Sequence, residues 1–465
     1  MSQPLVIISC VGLTPRHLGA DTPNLSALAG AGFAAPLSGP IPAVTTTAQA
    51  TLVTGVGPEN HGIVGNGWYF RELGEVWFWR QSEKLIQAES CWTRLRRTRK
   101  DLRVLKHFWW YAMTTDVDAT VTPRPVYHHD GRKSPDFYAL PAALKTAIQA
   151  KHGTFPLFSF WGPTANVKST RWIAESFATA FAETRPHLSW VYLPHLDYDL
   201  QRFGPRGPHL AQNLRQLDAE VGKVIATAKE HGALPIVVSE YGIEAVDHAV
   251  EINRALRRNG LLVVTRNAAG ELLDPGASRA FAVCDHQIAH VYCQQPADIG
   301  RAVEVLSRTP GISQTFVGNQ RRDIGLDHPR SGEIIAIAER GAWFAYDYWL
   351  EDAARPDFAQ CVEIHKKPGY DPRELFFDPK GGKRRAMSAL ARKMLGLRYR
   401  MDPCPLDTSL VRGSHGLPAA DPQDGAVIIC PDATWAKATQ ASTLTATQAA
   451  WDMRDLAPAI ERHLG

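Results

Sequence analysis

The chain has 465 residues, enough for one large core with insertions or for two domains. Lysine and arginine number 51 against 47 acidic residues, a net charge of +4 that gives no support to a nucleic-acid or membrane partner. Seven cysteines are scattered without a CxxC spacing, which excludes a recognisable disulfide framework or thiolate zinc site.

In chain order, LVIIS (5–9) is the first run that reads as a buried strand, and no basic leader precedes it. No run of about 18 apolar residues occurs anywhere, so the expectation is a cytoplasmic protein. TPNLSALAGAG (22–32) reads as a helix opened by Thr-Pro-Asn. Residues 42–66, PAVTTTAQATLVTGVGPENHGIVGN, place Thr45 where a helix begins, so its hydroxyl feels the helix dipole beside free amides. A threonine helix cap explains the same residue without chemistry. The stretch 75–97 is rich in aromatic and basic side chains and reads as a packed insertion near this motif, with stacking surfaces at 68–79.

LSWVYL (188–193) and ALPIVVS (233–239) are further strands, separated by the amphipathic helix 209–232 with its closing glycine. Strands alternating with helices imply a mostly parallel sheet covered on both faces, with ligands at the carboxyl ends of its strands. From about residue 262, LLVV, AHVYC (289–293), PADIGRAVEVLSRTPG and EIIAIAERGAWFAYDYW (333–349) describe a smaller mixed subdomain. The basic tracts 96–100 and 380–400 read as solvated helix faces or as help with an anionic substrate.

The segments around Thr45, together with VYLPHLDYDLQRFGP (191–205), VVSEYGI (237–243) and VRGSHGLPA (411–419), resemble the type I phosphodiesterase/nucleotide pyrophosphatase branch of the alkaline phosphatase superfamily. The resemblance covers roughly 1–70, 185–260 and 400–430. It implies an α/β fold with a mostly parallel sheet sandwiched by helices and a smaller mixed α/β insertion. The core would comprise 1–260 plus 400–465, and the insertion 261–399. It also implies Thr45 as nucleophile, a phosphothreonyl intermediate and one or two divalent metals, zinc being the expected ion.

The implied metal ligands are unevenly kept. Asp197 and His415 match the family, Glu240 keeps an acid, and Gln201 stands where a histidine is usual. Val11 and Tyr241 replace an aspartate and a histidine, which dismantles the site that would activate Thr45. Ala48 stands where an asparagine would contact the phosphoryl group, leaving Gln49 as the candidate substrate contact. His195 and Asp199 are candidate substitutes in the second motif, with loop hydrogen bonding as the plainer alternative. Two later clusters, Asp285-His286-Gln287 and His365-Lys366-Lys367, are candidates to repair the metal site or to replace its charge. The expected activity is metal-dependent hydrolysis of a phosphodiester or pyrophosphate in a small phosphate ester or nucleotide. The alternatives are an altered or inactive member that binds a phosphorylated ligand, and a phosphomutase.

Overall fold

The run LVIISC forms the strand Leu5–Cys10, and all six residues are buried. A strand sends successive side chains to opposite faces. Leu5 and Ile7 accordingly enter one core layer, while Val6 and Ile8 enter the other. The strand pairs in parallel with Leu188–Leu193 on one side and Leu234–Val238 on the other. These three predicted strands therefore form the centre of the sheet.

The computed structural model describes residues 2–129, 132–438 and 451–465; part of the C-terminal core segment, 439–450, lies outside them. Nine strands make the main sheet, in the order Trp451–Asp452, Phe33–Ser38, Ala426–Cys430, Leu234–Val238, Leu5–Cys10, Leu188–Leu193, Val104–His107, Ala119–Pro123 and Phe137–Leu140. The five strands from Leu234–Val238 to Ala119–Pro123 are mutually parallel. Antiparallel strands flank them, Ala426–Cys430 on one side and Phe137–Leu140 on the other. Helices Pro23–Ala31, Val167–Thr184 and Leu210–Glu230 cover one face. Thr45–Thr54, Cys91–Leu95 and Leu456–Leu464 cover the other.

A second sheet is built wholly within residues 280–338. Its order is Ala280–Asp285, Ile288–Cys293, Ile334–Ala338 and Ile312–Val317, all antiparallel. The first two strands form a hairpin that turns at His286, whose φ of 61° is left-handed. Helix Pro296–Ser307 packs on this sheet. The stretch 333–349 is two short strands, Ile334–Ala338 and Ala342–Phe344, because the turn at Arg340-Gly341 interrupts the apolar run.

Candidate active site

Three of the motifs lie just past the carboxyl end of a central strand. Val11-Gly12 follows Leu5–Cys10, and Glu240-Tyr241 follows Leu234–Val238. Helix His195–Phe203, which carries Asp197 and Gln201, follows Leu188–Leu193. Gly12 has φ +77°, and a Cβ there would meet Leu200 Cδ1 at 2.9 Å, so the chain can leave its strand this tightly only with glycine.

Thr45 is the first residue of helix Thr45–Thr54 and is buried, its hydroxyl 3.1 Å from the Tyr241 hydroxyl. The next residue is anchored. The Thr46 amide donates to Asn66 Oδ1 at 3.1 Å, and its hydroxyl donates to the Gly65 carbonyl at 2.8 Å. Asn66 is held in turn by Asp285, which accepts from the Asn66 amide at 2.7 Å and from its side chain at 3.0 Å. Asp285 thus fixes the end of the PENHGIVGN segment against the start of the threonine helix.

Glu240 Oε1 accepts from Ser9 at 2.9 Å and from Gln49 Nε2 at 2.7 Å, while its Oε2 accepts no hydrogen bond. Burial pushes its carboxyl up to about 8, against the opposing pull of Gln49, Ser9 and the nearby Thr45 hydroxyl. Gln49 is wholly buried, and its Oε1 accepts from the Trp110 amide at 2.8 Å. Both ends of the side chain expected against substrate are therefore engaged inside the protein, where they position Glu240.

Asp197 Oδ2 accepts from Gln201 at 2.7 Å, one helical turn away, and its Oδ1 has no partner. Desolvation raises Asp197 to about 7. Gln201 Oε1 accepts in turn from the Tyr370 hydroxyl at 2.9 Å. His415 Nδ1 donates to the Ala43 carbonyl at 2.8 Å, and burial lowers the ring to about 3, so the imidazole is neutral. Its ring lies 3.6 Å from Tyr241, at an interplanar angle of 8°, and 3.5 Å from His286. His286 lies 3.8 Å from Tyr370, which completes a four-ring stack.

This donor set does not fit a two-metal centre. Among the described residues, no three or more of His, Cys, Asp and Glu converge in a metal-holding group. Val11 offers only a buried alkyl group where an anionic ligand belongs. The Tyr241 phenol is held neutral by burial and packed flat on His415.

The candidate repair groups lie apart from one another. His365 sits on the cleft wall, its Nδ1 3.3 Å from the Phe78 carbonyl. Lys366 is exposed and does not line the cleft. Lys367 is buried in ion pairs with Asp371 at 2.8 Å and Glu374 at 2.7 Å, so neither lysine reaches Thr45 to replace a metal charge. Asp199 pairs with Arg202, and His195 is buried and lowered to about 4.

A cleft of about 2100 Å³ opens above this floor, with Thr45, Asp197, Tyr241, His286 and His415 among its lining residues. Trp79 and Trp110, with ring centroids 4.9 Å apart, form one aromatic wall; Trp161 and Tyr370, at 5.7 Å, form another. Tyr192, which the second motif contains but which carries no expected role, and Tyr370 also reach the site. Tyr370 follows the His365 cluster by five residues, and the glycine turn before it was the available signal.

A family model for type I phosphodiesterase/nucleotide pyrophosphatase matches residues 5–371. The chain belongs to this family. Among curated family relatives, the chain is 24% identical over 233 residues to an uncharacterised pyrophosphatase/phosphodiesterase of Schizosaccharomyces pombe. That match spans 49% of this chain and 41% of the relative. Among solved structures, murine ectonucleotide pyrophosphatase/phosphodiesterase 5, as an inactive variant with AMP, shares 16% identity and a TM-score of 0.59, over 99% of this chain and 95% of that one. Phosphonoacetate hydrolase of Sinorhizobium meliloti with phosphonoformate shares 13% identity and a TM-score of 0.59, over 100% and 96% of the two chains. These likenesses confirm the alkaline-phosphatase-like fold. Among the described residues, no helix is long and apolar enough to cross a membrane.

Proposed function

We propose that the chain acts on a small phosphate ester or nucleotide bound in the cleft, with Thr45 meeting the phosphoryl group, by chemistry that does not run through the family's two metals. The observation that supports this most directly is Tyr241, which stands where a histidine ligand is usual, packed flat on His415 with its hydroxyl 3.1 Å from that of Thr45. In this reading Thr45 Oγ1 bonds to phosphorus as the ester oxygen leaves. The Thr45 proton passes to the Glu240 carboxylate, and water later hydrolyses the phosphothreonine. Tyr241 and Tyr192, both held neutral by burial, supply hydrogen-bond donors at the cleft floor. Murine ectonucleotide pyrophosphatase/phosphodiesterase 5 with AMP supplies the candidate ligand class.

A second reading, binding without turnover, is favoured by Glu240 itself. A carboxyl raised to about 8 is mostly protonated at neutral pH and cannot take the Thr45 proton there. Cleavage of bis(p-nitrophenyl) phosphate, measured across pH with and without EDTA, separates the two. The first reading predicts EDTA-insensitive release of nitrophenolate that rises as Glu240 ionises and disappears in Thr45→Ala. No release at alkaline pH, with AMP still binding by calorimetry, establishes the second.

A further inference from the structure

The basic tract forms a helix, Gly382–Met394, that lies on the protein by only a narrow strip. Gly382 and Ala389 are its buried residues. At 100° per residue, Met387 and Met394 stand opposite Ala389 and point outward. They are 70% and 88% exposed, and Leu395, just past the helix, is 74% exposed. From Lys380 to Met401 the sequence holds eight lysines and arginines and no acidic residue. Among the described residues, Lys383, Arg384 and Lys393 form no ion pair.

The same helix borders the cleft. Leu390, Lys393 and Leu397 line it, as do Tyr127 and Phe158 from other parts of the chain, which are 53% and 55% exposed. Methionine, leucine and phenylalanine exposed together, beside cations that form no ion pair, make an apolar patch of the kind that marks an interaction surface. That combination is what an interfacial helix presents to a bilayer, with apolar side chains in the acyl boundary and cations at anionic headgroups. The net charge of +4 averages this cluster away, which is why the composition gave it no weight.

We propose that helix Gly382–Met394 and the adjoining cleft rim dock on an anionic lipid surface. Charge selects this occupant over a second copy of the chain, because a symmetric pairing of this face brings its cations together. The docking stands apart from the chemistry at Thr45.

Flotation with vesicles of phosphatidylcholine, with and without phosphatidylserine, tests it on the full chain. Wild type floats with the phosphatidylserine vesicles and not with phosphatidylcholine alone, and added salt weakens the binding. Each cation near an anionic surface strengthens binding about fivefold, so Lys383→Gln with Arg384→Gln lowers it roughly 25-fold. Met387→Ser with Met394→Ser, both at exposed positions, lowers it at least about tenfold. Thr45→Ala binds like wild type, so failure of the Thr45 chemistry leaves this result intact. Absence of wild-type flotation at low salt overturns the proposal, as does unchanged binding by both pair variants. Conversion of a dimer to a monomer by the methionine pair, without vesicle binding, reassigns the face to contact between copies.

Discussion

Replacing Glu240 by glutamine gives a stability difference that changes sign with pH. The folded carboxyl titrates at about 8 instead of its ordinary 4.5, because burial disfavours the charge. A raised acid pKa means that the folded state holds its proton while the unfolded state has already released it. Stability from this group is therefore complete below about pH 4.5 and falls as pH rises, until the folded group also ionises near 8. A shift of roughly 3.5 units at about 1.4 kcal/mol each makes the wild type lose on the order of 5 kcal/mol across that window. Glutamine does not titrate. Its Oε1 keeps the bonds from Ser9 and Gln49, and its Nε2 takes the place of an oxygen that has no partner. That buried, unpaired amide costs about 1–3 kcal/mol at every pH. The variant is thus less stable than wild type at about pH 5, equal to it between roughly pH 5.5 and 7, and more stable by about 2–4 kcal/mol at pH 8.5. Urea denaturation of both proteins at four or five pH values measures the difference. Parallel stability profiles without a crossing refute the buried, neutral acid.

Asp285→Ala leaves the Asn66 amide and side chain without their acceptor, which costs about 2–6 kcal/mol at pH 5. At roughly 1 kcal/mol per degree for a chain of 465 residues, the melting midpoint falls by about 2–6 °C in differential scanning fluorimetry. Lys367→Met removes the cation between the buried Asp371 and Glu374 and costs about 3–5 kcal/mol by chemical denaturation, whereas Lys366→Met at its exposed neighbour stays within about 0.5 kcal/mol. The triple change Val11→Asp, Gln201→His and Tyr241→His returns the usual donor types to their positions, and metal analysis after zinc loading finds zinc in the triple variant in excess of wild type.

The central strands and the long helices were legible because each carries one clear period. Leu5–Cys10, Leu188–Leu193 and Leu234–Val238 are continuous apolar runs, and Leu210–Glu230 repeats at helical spacing. The reversal of direction toward the edges of the sheet was not legible, since strand orientation depends on which neighbour a strand meets. Position also placed Thr45, Asp197, Glu240 and His415 at one end of the sheet. What those groups do there was hidden by sequence distance. Asp285 clamps Asn66 across 219 residues, and Gln49 holds Glu240 across 191. The Lys366-Lys367 pair shows the same limit at short range: adjacent residues of one type, one in solvent and one in a buried ion cluster, differ only in which way the chain turns.

Zinc titration by calorimetry into EDTA-treated wild-type protein, beside Asp197→Asn and His415→Ala, decides whether the site holds the family's metals. A site without the two metals gives no saturable two-zinc uptake by wild type and no difference among the three proteins. Two equivalents of zinc bound by wild type and lost in both variants would contradict that reading and return the site to the family's two-metal chemistry.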